Sequence, residues 1–421
     1  MEISSVAVFE KKRTLFYQLI LSTFSKAIAV SSLYIYAKVI TKNEIGEIAY
    51  IQAIVVFLVT ILSLQLPAAI FRFSLEKKYQ NISVWVVQNS NYFFYISLLF
   101  FVVNFIYSNL ISQVLLLSLI QITTQIKLEL IRTKSNKSEF FKLIFFQIFF
   151  SVGLTSFTLI LYKGVFNGVL VYIFFEYFSW FLTLIFCSKK ILTLKKNNEE
   201  FKATYKKEYV LEHIKYGIYL IPTSLSWAVI LHAPLLLTGY FFDDTIVANF
   251  TISNRLPLVV TMVSVLILQV IGKNLILKYE KNKLKFCNNF LKYSLFWLIY
   301  CFFLSVIVYF LNYFVILNIF PSYKISEHAQ ILQFFNAFLI SNFAFVGFFY
   351  QIIKKLKYNI ITAAMAATIG LICGYIFGIS YGIEGILTSM FFGLLVALTV
   401  GHIQIRAFIN EKNLNDKIYN K

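Results

Sequence analysis

The chain has 421 residues, of which 59% are apolar and only 14% are charged. Lys and Arg number 38 against 19 Asp and Glu, which gives a formal net charge of +19. So apolar a composition excludes an ordinary soluble domain. Membrane topology and attraction to anionic lipid explain the excess positive charge better than nucleic acid does.

Long apolar windows recur along the whole chain. A helix that crosses a bilayer needs about 20 apolar residues, and we count about twelve such windows. We interpret the first as an uncleaved span, because it has no short apolar core followed by a small-residue cleavage site. The predicted spans are 14–38, 46–71, 89–107, 109–131, 140–162, 165–188, 212–239, 246–272, 289–316, 329–352, 358–379 and 384–406.

The basic residues fall into alternate gaps between these spans. With the amino terminus placed inside, about 32 Lys and Arg lie on the inner side. The outer loops hold only Lys38, Lys42, Lys163 and Lys324. This asymmetry predicts a multi-pass membrane protein with both termini cytoplasmic.

The longest polar stretch, 189–211, divides the chain in half. We predict an amino-terminal six-helix lobe at 1–188, a cytoplasmic linker at 189–211 and a carboxyl-terminal six-helix lobe at 212–421. Residues 40–59 and 241–260 resemble each other weakly, since each is a polar outer turn that enters an apolar helix. Duplicated halves are common in transporters. The predicted fold is therefore an all-α polytopic membrane protein, with about twelve transmembrane helices in two lobes around a central cavity.

Span 1 contains a polar stripe. Gln18, Ser22 and Lys26 follow one another at intervals of four residues and so share one helix face. Lys26 lies about 18 Å into the span. Polar groups at that depth face a cavity or another helix. Lys26 is therefore a candidate cationic contact for an anionic substrate, or it forms an ion pair with Glu176.

A second stripe follows span 4. Its members recur at spacings of three and four, which excludes a lipid-facing position. Small and amide side chains also join helices to each other, so the stripe faces a partner helix or water. Gln125 is its candidate substrate contact. The stripe comprises Ser118, Gln121, Gln125, Glu129 and Arg132.

Three further ionisable residues lie within spans. Arg255, in span 8, lines the cavity or extends to the outer surface, and we favour the cavity. Glu176, central in span 6, accepts a proton during transport or neutralises Lys26, and we favour neutralisation. His232 in span 7 is interpreted as a helix-packing residue rather than a proton relay.

The sequence contains none of the usual enzyme signatures. It has no P-loop, no Gly-rich dinucleotide turn and no Cys or His cluster with metal-ligand spacing. Asp243 and Asp244 are interpreted as solvated residues of an outer turn. We therefore predict a protein that is not an enzyme and needs no metal or cofactor.

Six short segments carry a family resemblance. The clearest is LQLPAAIFRF (64–73), and the others are IGEIAY (45–50), ANFTISNRL (248–256), FPSYKISEHAQIL (320–332), KKLKYNI (354–360) and YGIEGILTSM (381–390). In their order they resemble bacterial polysaccharide flippases of the Wzx type, in the multidrug/oligosaccharidyl-lipid/polysaccharide exporter superfamily. Gln65 stands where that family usually has Gly.

The resemblance implies a function. The expected substrate is a polyprenyl-diphosphate-linked oligosaccharide, moved to the outer leaflet through a cationic cavity. The resemblance assigns the positive charge of that cavity to Lys26 and Arg255, with Arg72 as a weaker candidate. Membrane lipids and the polysaccharide polymerase machinery are the other expected partners, and nucleic acid is not one. The resemblance also implies a location in the bacterial cytoplasmic (inner) membrane.

Two alternatives stay open. A polysaccharide polymerase or ligase would need a long outer loop, whereas the longest here is 315–328. A drug/cation antiporter would favour carboxylates within the membrane, and only Glu176 fits that role.

Overall fold

The computed structural model describes residues 28, 31–32, 34–74, 80–107, 109–134, 137–161, 167–197, 207–353 and 355–419. These residues form helices and turns without any β-strand. Numbered from Lys42, the helices are α1 Lys42–Leu62, α2 Leu66–Phe73, α3 Gln80–Asn89, α4 Asn91–Tyr107, α5 Leu110–Lys134, α6 Lys137–Leu161, α7 Gly168–Asn197, α8 Lys207–Phe241, α9 Asp244–Ser253, α10 Arg255–Lys281, α11 Lys283–Asn288, α12 Phe290–Asn318, α13 Glu327–Ile352 and α14 Leu356–Tyr419.

The chain divides into two compact units. Unit 1 is Met1–Leu225 and unit 2 is Ser226–Lys421. The division falls within α8, downstream of the predicted linker at 189–211. Helices occupy both ends of that predicted linker, because α7 continues to Asn197 and α8 begins at Lys207.

Unit 1 is organised around α5, which packs against α1, α2, α3, α4, α6 and α7. Of its membrane-spanning segment, 78% is buried inside the protein. The hydroxyls of Ser118, Thr123 and Thr124 are fully buried and donate hydrogen bonds to carbonyls one turn earlier. A helix that hardly meets lipid can carry such polar groups. The predicted stripe of span 4 belongs to this enclosed helix.

Unit 2 is organised around α13 in the same way. This helix packs against α10, α12 and α14, and 67% of its span is buried. Buried amides follow it at Gln330, Gln333 and Asn336. Helices α5 and α13 correspond to predicted spans 4 and 10, which is the spacing expected of two six-span halves.

Two predicted spans are broken. Span 8 bends by 46° between α9 and α10, at Asn254. Span 2 ends early at Leu62, and α2 follows after Leu64 and Gln65, whose φ angles are 48° and 51°. The prediction of continuous helices at 46–71 and 246–272 was therefore wrong in this detail.

Helix α14 is a hairpin of two arms. The chain reverses at Gly382, whose φ of 63° and ψ of −143° interrupt the helix. The arms approach closely through glycine, since a Cβ on Gly393 would lie 2.8 Å from the carbonyl oxygen of Ala366. Small residues permit such contact between membrane helices.

The described residues thus supply nine helices long and apolar enough to cross a membrane, or ten with the bent pair α9–α10. Helix α14 accounts for two of the predicted spans, and most of predicted span 1 lies outside the described residues. The predicted fold class, an all-α multi-pass membrane protein, is confirmed.

Both polar turns of the weak internal repeat begin helices. Thr41 and Glu44 form a capping box at α1, in which the Thr41 backbone N–H donates to the Glu44 carboxylate over 2.9 Å. Asp243 caps α9 by accepting from the backbone N–H of Ile246 over 3.0 Å. Side-chain caps of this kind fix where a helix starts, and the predicted helix entries are confirmed.

Candidate functional site

Three of the predicted binding residues cannot be placed. Gln18, Ser22 and Lys26 lie outside the described residues, so their stripe stays a prediction. The described candidates are Arg255, Arg72, Gln125 and Glu176.

Arg255 is the first residue of α10, directly after the break at Asn254. About ten residues of α9 separate the break from the end of the span, which places it roughly 15 Å deep. The Arg255 side chain is half-buried and interacts electrostatically with His232 of α8. The amino terminus of a helix carries partial positive charge from its unpaired N–H groups. The break therefore combines two sources of positive potential within a membrane span.

Buried amides of α13 lie beside this break. Gln333 donates from Nε2 to the hydroxyl of Ser253 over 3.2 Å, and Asn336 donates from Nδ2 to the carbonyl of Leu387 over 3.0 Å. Their amide oxygens accept no hydrogen bond from the described residues. With Asn254 they line a cavity of about 30 Å³, the volume of about one water molecule.

Glu176 lies on α7 in unit 1, where its carboxyl group is surrounded by hydrogen-bond donors. Trp180 donates from Nε1 over 2.8 Å and Gln147 from Nε2 over 3.5 Å. The Ser151 hydroxyl contacts the other carboxylate oxygen. Among the described residues no Lys or Arg forms an ion pair with Glu176. Its predicted neutralisation of Lys26 stays a prediction.

The remaining candidates lie on α2 and α5. Arg72 is exposed in the last turn of α2, with its guanidinium carbon 5.6 Å from the centre of the Tyr216 ring. Gln125 is half-buried on α5. Farther along α5, Arg132 and Glu129 pair over 3.3 Å. The charged end of the span 4 stripe is therefore neutralised internally.

Lys127 lies on α5. In the sequence it is one of the many basic residues of the inner side, near the end of predicted span 4. Its side chain is 5% exposed, and its amine donates to the Ser188 hydroxyl over 2.8 Å. Lysines near span ends usually reach the aqueous interface, so the sequence gave no reason to single it out. The buried position depends on how α5 and α7 pack.

Comparison with known proteins gives the fold. No protein-family model and no curated protein matches the sequence. An inward-facing multidrug-resistance MATE transporter of the MOP superfamily matches with a TM-score of 0.67 and 13% identity, over 94% of this chain and 98% of the other. An outward-facing structure of such a transporter matches with a TM-score of 0.62 and 12% identity, over 95% and 96%.

A third match is a MOP-superfamily transporter from Pyrococcus furiosus Vc1. It has a TM-score of 0.61 and 13% identity, over 95% of this chain and 96% of the other. Its binding pocket is described as having reverse polarity, which suggests a different function for that protein.

Together the helices and these likenesses define a class, the multi-pass helical membrane proteins with a transporter fold. More particularly, the fold is that of the MATE transporters in the MOP superfamily. At 11–13% identity this likeness concerns the fold.

Proposed function

We propose that this protein is a flippase, which moves a polyprenyl-diphosphate-linked oligosaccharide from the cytoplasmic to the outer leaflet by alternating access. The observation that carries this proposal is the placement of charged residues in unit 2. Arg255 lies at a helix break within a span, whereas every Asp and Glu of unit 2 lies at a helix end, near the Gly382 turn or beyond Asn410. A site built this way suits an anion.

The substrate chemistry requires such a site. A diphosphate and its sugars cannot enter hydrocarbon without polar partners, while the lipid tail stays in the bilayer. In this proposal Arg255 and Lys26 bind the diphosphate, and Arg72 and Gln125 are further contacts. Moving two negative charges outward across 100 mV, inside negative, releases about 4–5 kcal/mol.

Three observations support transport of this substrate. Solved structures of the same fold include inward-facing and outward-facing states, as alternating access requires. One MOP-superfamily protein has a pocket of reverse polarity, so this fold accommodates pockets of different charge. The predicted outer loop at 315–328 is shortened to 319–326 between α12 and α13 and contains a helical turn at Pro321–Tyr323, which leaves little room for a glycosyl-transfer site and favours transport.

The test is translocation in reconstituted vesicles with a labelled lipid-linked oligosaccharide. We expect Arg255→Ala combined with Lys26→Ala to slow translocation more than tenfold. Arg255→Lys retains the charge and is expected to keep part of the activity. Lys324→Ala, which changes an exposed lysine in an outer turn, is the control. A double variant that transports at the wild-type rate would refute the proposed site.

A drug/cation antiporter is the second candidate, favoured by Glu176. A carboxyl group within a span, contacted by Ser151, Gln147 and Trp180, can accept a proton or a cation. This function predicts that efflux of a cationic dye depends on Glu176 and is lost in Glu176→Gln. The flippase predicts instead that deletion of the gene stops polymer export and leaves dye efflux unchanged.

A further inference from the structure

Unit 1 contains a second cavity that the proposed function does not use. Its volume is about 540 Å³, and it lies between α3–α4 on one side and α7 on the other, with α5 behind it. At one end the rings of Phe94 and Phe181 stack with their centres 5.8 Å apart. At the other end lie Lys127, Ser188 and Lys189.

The buried lysine at this second end has no counter-charge among the described residues. Its amine bonds to the Ser188 hydroxyl, and it forms no ion pair there. The nearby carboxylates are already used, because Glu129 pairs with Arg132 over 3.3 Å and Glu139 pairs with Lys190 over 2.8 Å. A charge buried in a membrane protein needs a compensating partner, so an anion fits beside Lys127.

Most of the remaining lining is apolar, with Gln88 and Asn91 as its polar members. From Phe181 to Ser188 the wall runs seven residues along α7, about 10 Å. Tyr95 and Leu192 line the rim with 62% and 64% of their surface exposed. Exposed apolar side chains on spanning helices contact acyl chains. The cavity therefore has one cationic end and an apolar wall that meets the bilayer.

We propose that this cavity binds an anionic phospholipid of the surrounding bilayer, with its phosphate at Lys127 and Lys189 and an acyl chain along Phe94 and Phe181. Lys127 and Ser188 lie near the ends of their spans, at the level where headgroups lie. A free phosphate would leave the apolar wall uncovered, and a zwitterionic lipid brings no net negative charge to offset the two lysines. The proposal does not depend on which substrate the protein transports.

The test uses the purified full-length protein in neutral detergent. Phosphatidylglycerol and phosphatidylcholine with identical chains are added separately, and bound lipid is counted by native mass spectrometry alongside the melting temperature. We expect phosphatidylglycerol to remain bound and raise the melting temperature, while phosphatidylcholine and inorganic phosphate do not. Lys127→Met is expected to weaken phosphatidylglycerol binding at least tenfold. Lys142→Met, which removes an exposed lysine of α6 outside the cavity, is the matched control.

A second variant covers the case in which Lys127→Met does not fold. Leu192→Glu changes an exposed rim residue and leaves Lys127 in place, and the added negative charge is expected to weaken phosphatidylglycerol binding severalfold. Equal retention of phosphatidylglycerol in wild type and both variants would overturn the proposal. So would equal binding of phosphatidylcholine, or Lys127-dependent binding of a polyprenyl phosphate with none of phosphatidylglycerol.

Discussion

Gln65 adopts a backbone conformation that side chains disfavour. Its φ of 51° lies in the left-handed region, which costs a non-glycine residue about 1–2 kcal/mol. We predict that Gln65→Gly raises the free energy of unfolding by roughly 0.5–1 kcal/mol, because relief of strain outweighs the gain in unfolded-chain entropy. Denaturant titration in detergent measures this free energy of unfolding.

Ser63 provides the control for this change. Its φ of −67° is right-handed, so Ser63→Gly gains nothing from glycine and is expected to lower the free energy of unfolding. If both glycine variants were destabilised equally, strain at Gln65 would not be the reason.

Asp243 caps α9 and supplies a pH-dependent contribution to stability. Hydrogen bonds from the Thr245 hydroxyl and the Ile246 backbone N–H hold the pKa of this carboxyl below its usual value. Since the folded-state pKa is depressed, the contribution is present at neutral pH and is lost as pH falls through the lowered pKa. We predict that Asp243→Ala lowers the melting temperature at pH 7 and that the difference disappears in acid. Asp244→Ala, which removes the neighbouring exposed carboxyl, is expected to have a smaller effect.

The sequence identified candidate residues but could not identify the side chains that contact each of them. Depth within a span singled out Glu176 and Arg255, because ionisable groups there are rare and costly. The donors around Glu176 come partly from another helix, at Gln147 and Ser151. Lys127 was missed because only packing distinguishes a buried lysine near a span end from one that reaches the interface.

At the scale of helices, the hairpin α14 depends on glycine contacts. A Cβ on Gly393 would lie 2.8 Å from the Ala366 carbonyl oxygen and 3.0 Å from the Gly370 backbone nitrogen. Backbone atoms cannot yield as flexible side chains do, so the arms must separate. We predict that Gly393→Ala lowers the free energy of unfolding by about 1–3 kcal/mol. Thermal unfolding in detergent measures this change.

Gly153 in α6 is the matched control. A Cβ there meets nothing within 4 Å, so Gly153→Ala is expected to stabilise by up to about 1 kcal/mol through helix propensity. Destabilisation by both substitutions would mean that helix glycines matter here for a reason other than arm packing.

The existence of the helices was predicted, whereas their interruption was not. A window of about 20 apolar residues identifies a span whether or not it is straight. Each interruption lies inside one long apolar window, yet each is followed by a proline in the first turn of the next helix, Pro67 in α2 and Pro257 in α10. Proline is tolerated in the first turn of a helix and breaks or kinks a helix interior, so these two prolines are the local signal for the interruptions. Gly382, by contrast, coincides with a gap between predicted spans.

At the scale of the molecule, charge distribution predicts orientation, and labelling can test it. Outer turns hold few basic residues, whereas the inner gaps hold most of them. In a background with Cys187, Cys287, Cys301 and Cys373 replaced by Ser, we expect Asp244→Cys to react with a membrane-impermeant maleimide in intact cells. Lys324→Cys is expected to react as well.

Cysteines on the inner side are expected to give the opposite labelling result. Lys283→Cys and Lys355→Cys, both at exposed positions, are expected to react only after the membrane is permeabilised. The orientation matters for the proposed function, because the membrane potential favours outward movement of a diphosphate only if the basic side is cytoplasmic. Reaction of Lys283→Cys but not Asp244→Cys in intact cells would reverse the topology and, with it, the direction in which the potential drives an anion.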